Sequence, residues 1–593
     1  MVMFMLAAMV LASTVAFAAP DAAELNAPHL TTTQADQVCF KATIHGQDLH
    51  LDASCTTMQT TNYHWLLGDG SSRKGQKLKY RYNKAGDYQI TLTATGKGGK
   101  GVAVGAMRVV NDHILKVIGK KKLSPERTHV VNPYDGADTY INPDYARLIE
   151  TSIKQVDKPE LIARMRSMQQ IATAIWLDRI PAIYGGKENN GRSSLEQHLI
   201  RALAQQREGV PMLVELVLYN LPNRDCAALS SNGTLDFRSG GLETYKKEYI
   251  DVIANVIEDP RFASLRFVLI LEPDSLPNMI TNLWHPECAF AHKNNVYLIG
   301  NQYAIQRMSK AVNTYLYMDI GHSGWLGWEE NLKGTVAYYT KVVAGADSDS
   351  GMRAVDGFIT NTSNFTPTEE QFLTDPNQQV NGEVVKSAEF YGWNPNFDEK
   401  DYIEILHAKF IESGFSKDMK FLIDTSRNGW GGDKRPKASS GSDTVNHYVD
   451  QSRLDHRFHR GNWCNPINTG LGARPITQPY GAAHPIAAFI WAKPPGESDG
   501  ISDPNQAEAD GEGKRFDKMC DPNYVGDFGP TPSGKPTGAM ASAPASGHWF
   551  HEQFMMLIKN AYPAVEESGQ IGKPVYLDIP INDTKTFRSV DLQ

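Results

Sequence analysis

The sequence is poor in three things, and each absence narrows the options. It has six cysteines in 593 residues, with no Cys-x-x-Cys and no His-x-x-x-His pair, so a zinc site has no ligand cluster to start from. Its 59 Lys and Arg nearly balance 67 Asp and Glu, for a net charge of −8. That is mild for the length; it argues against a nucleic-acid partner, which needs basic stripes, and suits a neutral one. After residue 18 no stretch is long and apolar enough to cross a membrane, so no membrane contact is expected of the mature form. No Lys or Arg precedes Lys41. The apolar residues 1–18 therefore lack the usual basic start, yet they close on Ala16-Phe17-Ala18, a small-x-small cleavage pattern. They read as a signal peptide; as a membrane anchor the run is at the lower limit of length. A secreted, extracellular protein is expected, as a monomer, and no metal or organic cofactor is indicated.

At this length a single ordinary core is too small, so two domains are expected. Six cysteines suit export. Pairing sequence neighbours gives Cys39/Cys55, Cys226/Cys288 and Cys464/Cys520, although fifteen connectivities are open on spacing alone.

Residues 25–113 carry strand signals and turn glycines. Tyr63–Leu67 runs into Gly68-Asp69-Gly70, a strand entering a tight turn. Tyr80–Ala94 reads as two strands around a turn, the second with period two. The Gly-Asp-Gly turn and Gly86-Asp87-Tyr88-Gln89-Ile90-Thr91-Leu92 resemble the PKD domain, an immunoglobulin-like β-sandwich; Leu66-Leu67 departs from its usual Asp-Phe. Trp65 is expected in the core rather than on a sugar. The basic run 114–130 reads as a linker rather than a membrane-binding patch.

From residue 131 strands and helices alternate. Ala174–Leu177, Met212–Tyr219, Arg266–Leu271, Thr314–Met318, Val355–Thr360, Lys420–Ile423 and Pro485–Trp491 are strand-like, and Asp144–Met168, Ser193–Gln206, Leu242–Ile257 and Gln302–Val312 are helical. Such alternation means a parallel sheet under helices. Seven strands over this length point to a distorted, TIM-like α/β barrel more than to a doubly wound sheet.

Polar groups follow every strand: Asp178; Arg224 and Asp225; Glu272 and Asp274; Asp319 and His322; Asn361; Asp424 and Arg427; Lys493, Glu497 and Asp499. In a parallel sheet these ends share one face, so the side chains converge on one cleft. A lone Asp there is usually a helix cap; seven in series fit a shared site better. Trp176, Tyr219, Trp325, Trp328, Trp430, Trp463 and Trp491 fall at the same places. Aromatic faces beside carboxylates suit a sugar polymer.

The blocks Trp176–Asp178, Leu221–Ala228 with Ser231-Asn232-Gly233, Glu272–Leu276, Tyr317–Trp328, Ile423–Gly429, Trp463–Asn465 and Trp491–Gly500 resemble glycoside hydrolase family 6, the inverting cellulases. Asn220, Asn223 and Ser498 depart from its commoner residues. The resemblance implies a catalytic domain over 131–593, two of the proposed disulfides, and cellulose and cello-oligosaccharides as partners. It implies Asp274 as general acid and Asp225 as its charged neighbour, with Ser231 helping to relay the proton of the attacking water. Asp499 is the other candidate base, or a charge stabiliser paired with Lys493. Tyr219 would crowd the distorted sugar, and Trp176, Asp178, His322, Trp325, Asn364, Trp463, Lys493 and Glu497 would bind neighbouring units. Long segments between the strand ends favour an exo-acting cellobiohydrolase working from non-reducing ends; an endoglucanase of the same family and a non-catalytic cellulose-binding protein are the alternatives.

Overall fold

The computed structural model describes residues 38–45, 48–57, 59–83, 86–96, 99–109, 129–506, 512–525 and 534–566. The signal-peptide segment 1–18 and nearly all of the basic linker lie outside these residues. The chain divides into two compact units, Met1–Lys120 and Lys121–Gln593.

The first unit is antiparallel throughout. Lys41–His45, Asp48–Asp52 and Lys77–Arg81 form a three-stranded sheet; Ser72–Lys74, Thr60–Leu66, Gly86–Gly96 and Gly99–Val109 form a four-stranded one. Trp65 is fully buried between them. Its ring meets Phe40 edge-on at 5.1 Å and its Nε1 donates to the Gly75 carbonyl at 2.8 Å. Its apolar bulk and its one polar atom are both satisfied inside, so it is core, as expected. Gly68 and Gly70 take positive φ at the turn, which a side chain would resist. Cys39 and Cys55 are bonded.

The second unit is built on a nine-stranded sheet. Its order is Ile476–Thr477, Ile486–Ile490, Lys420–Asp424, Gly357–Thr360, Thr314–Asp319, Leu265–Leu271, Met212–Leu218 and Asp138–Thr139, with Ile175–Leu177 also pairing Met212–Leu218. All seven strands read from the sequence are present and pair in parallel; Ile476–Thr477 runs antiparallel on one edge. Every residue of Met212–Leu218 and Leu265–Leu271 is buried. That is why these strands read as unbroken apolar runs rather than alternating ones: both faces are covered. One face gathers Leu213, Val217, Val268, Ile270, Tyr315 and Tyr317 into a single core.

Two helical readings need correction. Residues 144–168 form two helices, Pro143–Ile153 and Pro159–Met168. Proline has no N–H to give and clashes with the preceding turn, so Pro159 can only start a helix, not continue one. In the stretch Leu242–Ile257 the turn Tyr245–Ile250 is a π-helix between two α segments. It aims Tyr245 and Tyr249 at the strand ends: the Tyr249 hydroxyl donates to the Leu177 carbonyl, and the Tyr245 hydroxyl to Glu272 at 2.8 Å. Apolar periodicity does not register a single inserted residue of this kind.

Candidate active site

Because the strands are parallel, their C-terminal ends form one rim, and the chain leaves that rim through strained turns. Asp225, Glu272, Asp274 and Asn361 all have left-handed backbones, with φ of 52°, 46°, 61° and 62°. Asp and Asn tolerate this conformation better than most residues, but it still costs energy, and such strain collects at functional sites.

Tyr219, the residue after Met212–Leu218, donates its hydroxyl to Oδ2 of Asp225. The other oxygen of Asp225 is buried and has no direct hydrogen-bond partner among the described residues. Burial raises the Asp225 pKa to about 6, against the opposing effects of the Tyr219 bond, the Arg224 charge and the nearby Ser231 hydroxyl. Arg224 lies over the Tyr219 ring at 4.1 Å and donates to the carbonyls of Asp178 and Tyr219. It thereby ties the ends of two strands together.

Asp274 starts the helix Ser275–Thr281. Its backbone N–H donates to Oδ2 of Asp319 at 2.9 Å. Burial pushes its carboxyl well above the usual range, and the charges of Asp225, Asp319 and Asp499 push it further the same way. Those four carboxylates therefore share one low-dielectric space. Asp319 itself is raised by burial to about 6. The first carboxylate of the Glu272-Pro273-Asp274 run has a different job: Glu272 accepts the N–H groups of Asn220 and Leu221 and holds the loop that carries Asp225.

Asp499 receives both its oxygens' partners from Arg427, at 2.9 Å each, and a third bond from the Asn465 N–H at 2.9 Å. Lys493 stands 4.0 Å away and donates instead to the Ser498 carbonyl at 3.3 Å. The expected Lys493–Asp499 pairing is thus secondary. Arg427 was visible as a strand-end residue, but spacing gave no way to tell which carboxylate it would meet.

The expected sugar-binding residues divide. Trp176 packs edge-on against Tyr219 at 5.3 Å, anchors its Nε1 on the Ala492 carbonyl at 2.8 Å, and has the Lys493 ammonium 5.6 Å from its ring. Glu497 is paired with Arg192 at 3.1 Å. Asp178 stands 3.5 Å from Arg179 and 3.7 Å from Lys514; these charges outweigh its burial and hold its pKa at about 2. Trp325 bonds Thr281 at 2.7 Å, at the far end of the helix that Asp274 begins. Trp463 packs on the Cys464–Cys520 bridge. The last two are held by side chains of neighbouring loops. His322 is buried against Thr366 at 3.0 Å, and burial, with Arg457 and Arg460 nearby, holds it well below the ordinary histidine range. Asn364 accepts from Arg457 at 2.9 Å. The Cys226–Cys288 bridge clamps the loop after Asp225 to the helix Pro286–Lys293.

The sequence profile of glycosyl hydrolases family 6 matches residues 134–561, and that of the PKD domain matches residues 26–110. Exoglucanase A of Cellulomonas fimi is 45% identical over 472 residues, 78% of this chain; the chain spans about half of that protein, 52%. The 1,4-beta-D-glucan cellobiohydrolase C of Emericella nidulans is 32% identical over 73% of this chain and 79% of its own length. Among solved structures, the catalytic domain of Cellulomonas fimi Cel6B aligns with a TM-score of 0.70 and 44% identity, over 77% of this chain and all of that one.

Proposed function

The chain belongs to glycosyl hydrolase family 6, and from that premise we propose that it is a secreted, inverting β-1,4-glucanase that releases cellobiose from the non-reducing ends of cellulose. The observation that carries the reading is the Asp225–Asp274 pair. Asp274 has its pKa raised by burial and by neighbouring carboxylates, so it carries a proton where ordinary carboxyls have lost theirs. It gives that proton to the glycosidic oxygen as the bond breaks. Asp225 keeps one oxygen outside the Tyr219 bond, with the Ser231 hydroxyl beside its carboxyl. That oxygen takes the proton of the attacking water, directly or through a second water. Asp499 suits this task less well, because Arg427 and Asn465 already occupy its oxygens; it stabilises charge in the cleft wall. Tyr219 both holds Asp225 and crowds the sugar at the cleavage point. Trp176, Asp178, His322, Trp325, Asn364, Trp463, Lys493 and Glu497 line the path of the chain.

The exo assignment draws on the relatives' names and on how the late loop is tied down. Glu512 pairs with Arg179 at 2.5 Å, Arg515 bonds Asn232 at 2.5 Å, and Arg192 holds the Gly547 carbonyl at 2.7 Å. Loops stapled across the strand ends favour an enclosed path over an open groove. The barrel reading draws on Ala174, whose N–H reaches the Trp491 carbonyl at 3.1 Å, bringing the ends of the first and last of the seven parallel strands together. We take 25–113 as a PKD module and 131–593 as the catalytic domain, with export supported by the disulfides. The test is a time course on carboxymethylcellulose and insoluble cellulose. Sugar release with little loss of viscosity is expected, abolished in Asp274→Ala; an early collapse of viscosity would make the protein endo-acting.

A further inference from the structure

We propose that Trp393 is a docking platform for β-1,4-glucan outside the Asp225–Asp274 cleft, a reading that rests on the function proposed above. Trp393 is 63% exposed and has a φ of 68°. Each feature alone is a cost. A bulky side chain disfavours the left-handed backbone, and an indole left in water gains nothing from the core. Residues held at such a cost need a reason outside stability.

The turn that presents it is rigid. Gly392, Trp393 and Asn394 donate their backbone N–H groups to Ala388, Lys386 and Tyr391 at 2.8, 2.7 and 2.9 Å. Three side chains bolt it to the loop 323–328. Asn394 donates to the Ser323 carbonyl at 2.8 Å, Asn396 to the Gly327 carbonyl at 2.6 Å, and Trp328 Nε1 to the Gly392 carbonyl at 2.8 Å. The fit admits nothing larger than glycine at 327, where a Cβ would lie 2.7 Å from the Asn394 side chain. The same loop carries Trp325, bonded to Thr281 at the end of the helix that Asp274 starts. Chain connectivity and hydrogen bonds therefore link the helix that Asp274 begins, through Thr281, Trp325 and the loop to Trp328, with the turn that carries Trp393. The Trp325 and Trp328 rings are each anchored by their own Nε1 bond.

The occupant that fits is the polymer the cleft acts on. It is neutral, it is longer than the cleft, and each pyranose presents a flat C–H face to an indole. Continuity with the cleft favours glucan over a second copy of the protein, which would need a far larger apolar patch than one ring.

The test uses the full chain, with Trp393→Ala, Trp393→Phe and, as a control, Trp284→Ala, which removes another exposed tryptophan (73%) that lies past the helix Ser275–Thr281 and outside the 392–396 turn. Initial rates on insoluble cellulose and on cellotetraose are measured, together with retention of each protein on insoluble cellulose in an Asp274→Ala background. In Trp393→Ala the ratio of cellulose rate to cellotetraose rate is expected to fall about three- to ten-fold, the worth of one stacked ring. Retention falls with it, Trp393→Phe recovers part of both, and Trp284→Ala matches the parent. Unchanged ratio and retention in Trp393→Ala would overturn the inference, as would a change in oligomeric state with unchanged retention. If the parent turns over neither substrate, the hydrolase reading fails, and retention alone decides the role of Trp393.

Discussion

The backbone N–H of Asp274 donates to the carboxylate of Asp319 at 2.9 Å, so the group that fixes the proposed acid in place is also one that keeps it protonated. Asp319→Asn retains an oxygen acceptor but removes the charge. The Asp274 pKa should then fall, because one of the repulsions that raise it is gone. The alkaline limb of kcat/KM against pH on cellotetraose should move to lower pH, and the acid limb should move down with it, because the Asp319 charge also raises the Asp225 pKa. Asp319→Ala should also lower kcat at every pH, since the N–H loses its acceptor.

Tyr219→Phe tests the other partner. The Tyr219 hydroxyl favours the ionised form of Asp225, whose pKa stands at about 6. Without it that pKa rises, and activity that needs an ionised Asp225 is lost at higher pH than in the parent. The acid limb should therefore move up in pH. An unchanged acid limb would mean that Asp225 is not the group whose ionisation turns the reaction on.

Arg427→Met should unfold the protein more easily by about 3–5 kcal/mol in urea, because it removes the nearer ion-pair partner of the buried Asp499 carboxylate and leaves only Lys493 at 4.0 Å. Arg427→Met with Asp499→Asn should recover much of that loss. Near-additive losses would show that the pair is not coupled.

Loss of Cys226–Cys288, as Cys226→Ser with Cys288→Ser, should cost about 2–4 kcal/mol of stability, since the bridge spans a sequence separation of 62. Activity should fall at temperatures below the global Tm, because the loop released is the one that follows Asp225.

The strands were legible because Leu265–Leu271 and Met212–Leu218 bury every residue and so appear in the sequence as unbroken apolar runs. The rim was legible for the same reason: whatever follows a parallel strand lies at its C-terminal end. The pairings were not. Nothing in the sequence places Arg427 rather than Lys493 against Asp499, or Asp319 beneath the Asp274 N–H, because each contact joins loops from different strands and depends on how far neighbouring strands are staggered. The π turn at Tyr245–Ile250 and the left-handed Trp393 were invisible too. Both are local departures from a repeat, and periodicity averages over them.

The most direct measurement is the anomeric form of the first product. In the proposed mechanism Asp274 gives a proton on one side of the sugar and Asp225 accepts one from water on the other, so cellotetraose cleaved in a proton NMR tube should first show the α anomer, followed by slow mutarotation. The β anomer appearing first would mean that a carboxylate attacks the sugar itself, and the roles given to Asp225 and Asp274 would be wrong.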